Sequence, residues 1–509
     1  MKKFIYATLA VAAVLLFASC KNDKNQPKNE KADAYISFTF SLPQDGFRGA
    51  ASDVAGANAE DTYVGTKAEQ AINAVRVVLY DPASGAAKYT LDYAITGDGE
   101  HAPTGAGLAT NGNAATTARF TTKAEGVASQ DYLMLAIINP TAKVKEATEE
   151  GKTLLDAQAA VTTTVAELSG SGIMMSNDRG LIKVASTDLK DAEATAEQTP
   201  VTVNVDRILA KVFVGGTPAL PDGAKFKDMK WVLNTTNTKT FIYRQFGQVV
   251  TAKDVFAAET AGDNSTRFQR YAQDPNFSGA FNPADFNYVE GTPTITSATG
   301  YEDAKGQYCL ENTMDRTSQK IQQTTSFILC GVWTPAPHHK ITFTEGETWY
   351  SYQGFAFTVA KMKEYITEAN DATKKDNTEI EGTPVGFKAA LQALLAEADC
   401  PVKAADGTIA NSSFVSHDIK GYKDGVCYYQ SNLIRHFNND QSSKDMGYGR
   451  YGVVRNNIYK INISKISGPG EPTVVPDKDK DKDDDPKNVF VSFDVTINPW
   501  IVRTQDISL

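Results

Sequence analysis

Near the carboxyl end stands VFVSFDVTINPWIV, residues 489–502, set off from what precedes it by the acidic, proline-bearing run VVPDKDKDKDDDPKN. Val491, Phe493, Val495 and Ile497 alternate with Ser492, Asp494 and Thr496, which is the period-two pattern of a strand with one apolar face. A lone strand cannot bury such a face by itself. Whatever this chain folds into must therefore supply a groove, in its own molecule or in another.

The opposite end carries a matching segment. Residues 35–43 read YISFTFSLP, and laying Ile36, Phe38, Phe40 and Leu42 beside Val491, Phe493, Val495 and Ile497 pairs large apolar with large apolar at every second position. Ser37 falls beside Ser492 and Ser41 beside Thr496. Two segments of one shape can fill one groove at different times. Burying four such side chains at roughly 2 kcal/mol each is worth about 8 kcal/mol before entropy costs.

Between these ends the chain is mostly strand-like runs bounded by Gly, Pro, Asn and Asp, among them NAVRVVLYDP (73–82), DYLMLAIINP (131–140), VTVNVDRILAKVFV (201–214), MKWVLNTTN (229–237), TSFILCGVWTP (325–335) and NNIYKINISKI (456–466). Irregularly spaced strand runs with turn signals predict antiparallel sandwiches. The best helix candidates are LLDAQAAVTTTVAEL (154–168) and GFKAALQALLAEA (386–398), where apolar residues recur at three and four. A domain division is expected near GGTPALPDG (215–223), where Gly and Pro cluster after a long apolar strand. The stretch from Asp477 to Asp485 reads as a solvated linker: it interleaves lysines and lacks the glycine and final glutamate of a calcium loop.

The first residues are a targeting segment. Lys2 and Lys3 precede the apolar FIYATLAVAAVLLFA, and the segment ends at LFASC, where Cys20 stands as a lipoprotein acylation site. The polar KNDKNQPKNEKADA that follows suits a tether from a membrane anchor. An exported chain of this length has room for two or more domains. A net charge of -10 argues against nucleic acid or an anionic membrane surface as partner. Beyond Cys20, only Cys309, Cys330, Cys400 and Cys427 remain, without CxxC spacing, so no disulfide framework holds the fold and their pairing is open.

Chemistry is thin. There are five histidines, and the adjacent His338 and His339 would point to opposite faces of a strand. No HExxH, GxSxG or phosphate loop occurs, and GSGIM (170–174) lacks the third glycine of a dinucleotide fingerprint. Tyr448, Tyr451 and Trp500 would serve a glycan platform, but aromatics at this density more often form core. The chain is read as no enzyme, with no cofactor and no metal. One position invites proteolysis: Arg48, in DGFRGAAS, precedes the small-residue stretch GAASDVAGANAEDT. Cutting between Arg48 and Gly49 would remove the lipid and the first strand together.

LFASC, YISFTFSLP followed by Arg48, SGIMMSND (171–178), VTVNVDRILAKVFV, YGVVRNNIYKINISKI (451–466) and the terminal VSFDVTINPWIV together resemble the Bacteroidales fimbrillins, the type V pilus shaft subunits, and among them the major subunit of the short (minor) fimbriae. The resemblance runs nearly end to end. It implies a mainly β fold of two transthyretin-like antiparallel β-sandwich domains with few helices, plus a tethered carboxyl-terminal donor strand. The implied parts are a lipoprotein signal peptide (1–20), a propeptide (21–48), two domains (49–216 and 217–466), a linker (467–488) and the donor strand (489–509). It implies acylation of Cys20, cleavage at Arg48 and Gly49 by an Arg-specific or trypsin-like protease, removal of Ile36, Phe38, Phe40 and Leu42, and their replacement by Val491, Phe493, Val495, Ile497 and Trp500 of another copy. Implied too are a head-to-tail filament with accessory anchor and tip subunits, an outer-membrane precursor, and adhesion. The shorter Lys/Asp-rich linker and Gly49 depart from the family pattern and leave the protease open. The alternatives are an accessory anchor or tip subunit and a surface glycan-binding lipoprotein.

Overall fold

The computed structural model describes residues 32–42, 65–110, 114–170, 172–178, 180–245, 272–277, 279–314, 318–374, 377–403, 408–434, 436, 451–482 and 491–499, with Ala160 and 491–499 described as backbone only. Strands dominate it, as the turn-bounded runs predict.

Two of those runs, Val75–Tyr80 and Tyr132–Ile138, are buried at almost every residue. Such unbroken apolar runs belong to a sheet covered on both faces. Val75, Val77, Leu79, Met134 and Ala136 enter one core, while Val78, Tyr80, Leu135 and Ile137 enter another with Ile208, Phe213, Leu310 and Ile458 from later in the chain. Arg76, on Val75–Tyr80, meets Asp92 through Nε and Nη2, both at 2.7 Å. That two-pronged pairing satisfies a charge placed on a nearly buried strand.

These strands belong to an eight-stranded sheet in the order Ala87–Tyr93, Val75–Tyr80, Tyr132–Ile138, Met175–Asn177, Val201–Arg207, Phe38–Ser41, Arg119–Thr121, with Ile182–Val184 beside Tyr132–Ile138. Side chains from both ends of that order share one core, so the sheet wraps around it. The second half is a sandwich. Gln307–Leu310, Leu209–Gly215, Asn457–Ile466 and Val491–Pro499 form one sheet, and Lys225–Asn234, Ser326–Thr334 and Val426–Leu433 the other. Ala210, Val212, Ile461 and Ile463 of the first meet Trp231, Phe327, Leu329 and Tyr429 of the second. Between Ser326–Thr334 and Val426–Leu433 the chain builds a lobe with its own core. There the sheet of Trp349–Tyr352, Phe355–Thr358, Phe414–Ser416 and Ile419–Tyr422 packs against helices Val359–Ala369 and Phe387–Leu395.

Three readings of the sequence change. VTVNVDRILAKVFV is two strands: Val201–Arg207 pairs within the first sheet, and Leu209–Gly215 pairs with Gln307–Leu310 and Asn457–Ile466 of the second half. The chain thus changes sheets at Ile208, before the Gly/Pro cluster rather than in it. The long helix expected over 154–168 is broken into Leu154–Gln158, the strand Ala160–Thr162 and Val165–Ser169. The Thr162–Thr164 run resists helix, and Thr164 instead caps the second piece, accepting from the Glu167 backbone while Glu167 accepts from its own. Ala160–Thr162 then pairs with Lys239–Phe241 across the two halves. Third, the run from Asp477 is no solvated linker at its start, because Asp477 is fully buried.

Candidate functional site

The segment singled out at the amino end lies inside the first sheet. Phe38–Ser41 runs parallel to Val201–Arg207 on one edge and antiparallel to Arg119–Thr121 on the other. Just before it, Ala34–Ile36 pairs with Glu125–Val127, and Tyr35 exchanges backbone bonds with Lys190 at 2.7 and 2.9 Å. Residues 119–127 therefore accompany this leading strand along its whole length. Thr122 fills the kink between the two pieces: its hydroxyl accepts from the Phe38 backbone at 3.1 Å and its carbonyl from the Ser37 hydroxyl at 2.7 Å.

The leading strand is buried on both faces. Ile36, Phe38, Phe40 and Leu42 are exposed by 1% or less, and Phe40 stacks on Phe120 with ring centroids 5.0 Å apart. Ser37, Thr39 and Ser41 are buried as well. The face read as polar is thus internal, and its hydroxyls are satisfied there: Thr39 bonds Thr121 at 2.8 Å, and the Arg119 guanidinium donates to Ser41 at 3.4 Å. Taking out residues 34–42 would leave a slot one strand wide, lined by Phe120, Val203 and Val205, and would cut Arg119–Thr121 off from its sheet.

The terminal strand Val491–Pro499 lies antiparallel along Asn457–Ile466 of its own chain, from Asn457 opposite Pro499 to Ile466 opposite Val491, with a bulge between Ile463 and Lys465. Its backbone, carrying Val491, Phe493, Val495 and Ile497, therefore occupies the edge of the second half's sheet. Trp500, Cys20, Arg48, Gly49 and Tyr448 lie outside the described residues. Tyr451 is a core residue, 2% exposed.

Leading to that strand, residues 467–482 are strapped onto the sandwich of the second half. Glu471 exchanges backbone bonds with Tyr428, and Val474 with Gly291. Tyr429 and Tyr422 donate their hydroxyls to the carbonyls of Gly468 and Gly470. At Asp477 one carboxylate oxygen accepts from Asn234 at 2.7 Å, and the other from Ser431 at 2.9 Å and Lys480 at 2.7 Å. Sequence reasoning missed this anchor because a run of alternating Asp and Lys looks uniform. The distinguishing signal is Pro476 and the apolar Val474 just before it.

A clasp joins slot and edge. Glu69, buried to 2% exposure, pairs with the equally buried Lys211 at 2.8 Å and accepts from the Tyr308 hydroxyl. Burial raises the Glu69 carboxyl, but the Lys211 charge and the bonds from Lys211, Tyr308 and Thr66 outweigh it and hold the group below its usual range. Asn456, at a φ of 60° that asparagine tolerates, donates to Asp206 at 2.8 Å and accepts from the Arg207 backbone at 3.3 Å. Beside it, Arg455 pairs with Glu311 at 2.8 Å. The VRNN element thus fastens the start of Asn457–Ile466 to the chain crossing between halves. His338 and His339 sit in a tight turn closed by Ile341, not on a strand. Among the described residues no cluster of His, Cys, Asp and Glu is suited to a metal, and no helix is long and apolar enough to cross a membrane.

Residues 420–506 match the family described as major fimbrial subunit protein type IV, fimbrillin, C-terminal. No curated protein matches the chain. Among solved structures, a candidate cell adhesion protein from Parabacteroides distasonis shares 11% identity at a TM-score of 0.41, covering 93% of this chain and 99% of that one. A fimbrilin from Porphyromonas gingivalis shares 14% identity at a TM-score of 0.37, with 93% and 99% covered. The tip fimbrial protein Mfa3 from Porphyromonas gingivalis shares 9% at 0.29, with 91% and 98% covered.

Proposed function

We propose that this chain is a structural, non-catalytic fimbrial subunit of the fimbrillin type, a reading supported by the match of residues 420–506 to the fimbrillin C-terminal family, and that it is a shaft subunit polymerised by strand exchange. Its precursor is exported as a lipoprotein acylated at Cys20 and held at the outer membrane. An Arg-specific or trypsin-like protease cuts between Arg48 and Gly49, and the leading strand leaves with the lipid. The terminal strand of another copy then enters the emptied slot.

The observation that carries this reading is the seat of the leading strand: paired on both edges and buried on both faces. An empty slot of that kind is an aggregation-prone gap in a core. A strand of the same pattern refills it, supplying backbone pairing for affinity and alternate side chains for selectivity. Laid in the leading strand's register, Val491, Phe493, Val495 and Ile497 take the places of Ile36, Phe38, Phe40 and Leu42, and Asp494 comes opposite Thr121 in place of Thr39. Because donor and acceptor surfaces differ, the contact does not close on itself, and repetition gives a filament. Accessory anchor and tip subunits would end it.

The pairing of Val491–Pro499 with Asn457–Ile466 favours a second reading, in which the terminal strand completes its own sheet permanently and the chain is an accessory subunit or a surface glycan-binding lipoprotein. In the shaft reading that edge is where the strand rests before donation. Unheated SDS gels of surface material decide between them. The full chain is expected to give a ladder, which both a chain ending at Asn488 and an Arg48→Ala chain lose while remaining folded. A ladder that survives truncation, or no ladder from the full chain, ends the shaft reading.

A further inference from the structure

The strap of residues 467–482 has the composition of a free tether and the contacts of a fixed part. Asp477 is wholly buried, and its carboxylate accepts from Asn234, Thr235, Ser326, Ser431 and Lys480, four of them on strands or turns of the sandwich itself. Gly470 lies so close to the neighbouring strand that a Cβ there would come within 2.3 Å of the Tyr428 carbonyl oxygen. The terminal strand, by contrast, is held by an edge ladder of the kind that a second acceptor can replace bond for bond. Lifting the strap has no such replacement, since it would strand the buried amide of Asn234 without its charged acceptor.

We infer that residues 467–482 stay on their own subunit when the terminal strand passes to a neighbour, with Asp477 as the latch that holds them. This rests on the strand-exchange reading above. The consequence is geometric. A strand tethered from Ile466 would have residues 467–490 as its lead, a reach of about 80 Å at full extension. Tethered from Lys482, it has only residues 483–490, or about 27 Å. The latch thus restricts which neighbouring slots the strand can reach and keeps successive subunits closely coupled.

Trypsin tests this, since Lys478, Lys480 and Lys482 all lie in the strap. Cleavage at these lysines, followed by mass spectrometry, is expected to be equally slow in the processed wild-type monomer and in the wild-type polymer. Asp477→Ala is expected to speed it at least tenfold in the monomer, while Asp479→Ala, at an exposed position, leaves it unchanged. Gly470→Ala, which pushes the strap outward without touching the latch, is expected to act in the same direction and serves if Asp477→Ala does not fold. A polymer cut as fast as the Asp477→Ala monomer would show that the strap leaves, and unchanged cutting in both variants would show that nothing latches it; either overturns the inference. Absence of any ladder from the wild type instead overturns strand exchange, and with it the strap's part in assembly, while the monomer comparison still judges the latch by itself.

Discussion

Thr39 and Thr121 face each other across the outer edge of the leading strand, directly opposite in register, with their hydroxyls 2.8 Å apart and both side chains buried. Each hydroxyl is there because the other is. Thr121→Val is expected to lower stability of the unprocessed chain by about 1–2 kcal/mol by leaving Thr39 unpartnered, and Thr39→Val with Thr121→Val together to cost less than the sum of the single changes. Urea unfolding of the four chains measures the coupling. Additive losses would mean that the hydroxyls do not depend on each other.

Phe40 is the apolar centre of the same strand, fully buried and stacked on Phe120. Phe40→Ala is expected to destabilise the unprocessed chain by about 3–5 kcal/mol, a cost typical of emptying an aromatic site. Under the proposed cleavage after Arg48, the same change should hasten loss of the leading peptide, read by mass spectrometry of the cut protein over time. Retention as long as in the wild type would show that this side chain does not hold the slot.

The Glu69–Lys211 clasp predicts an acid limb of stability. The Glu69 carboxyl ionises near 4.5 when unfolded and lower when folded, so its contribution is present above the unfolded value and disappears as pH falls through the folded one. Thermal melts between pH 5 and 2 should therefore fall less steeply in Glu69→Gln than in the wild type. Lys211→Met, which leaves a buried carboxylate without its cation, should cost about 3–5 kcal/mol at neutral pH. A neutral Lys211→Met would show that the pair is dispensable to the junction.

The cysteines predict a labelling pattern. Cys309, Cys330 and Cys427 are buried free thiols, and burial pushes Cys309 and Cys427 up to about 12 and Cys330 up to about 11. Among the cysteines of the described residues, only Cys400 is partly open. Maleimide at pH 7 should label native processed protein at Cys400 and reach the other three only after denaturation, since the thiolate is the reacting form. Rapid native labelling at Cys309 or Cys427 would contradict the packing of the second core.

The strand content, the amphipathic leading strand and the helix at Phe387–Leu395 were legible because periodicity and turn residues report local burial directly. What the sequence hid depends on partners far along the chain. Nothing local marks Ile208 as the point where one strand run changes sheets, because both halves of VTVNVDRILAKVFV are equally apolar and only their neighbours differ. The serines and threonines of YISFTFSLP pass for a solvent face until Arg119, Thr121 and Thr122 are placed against them. Asp477 looks like every other aspartate in its run, and its burial follows from Asn234 and Ser431, which are remote in sequence. The helix Val359–Ala369 is less legible, because TVAKMKEYITEA mixes β-branched and polar residues, although Thr358 caps it through the Lys361 backbone.

The double-edged seat of the leading strand also has a mechanical meaning. A strand at the rim of a sheet can be peeled away, its bonds breaking one after another under small force. A strand flanked by Val201–Arg207 and Arg119–Thr121 and covered on both faces offers no such free edge. Pulled along its own axis, it must shear both ladders at once, with the load divided among all of their bonds. An occupant of that slot would hold as a link in tension while remaining, through its backbone pairing alone, replaceable at rest.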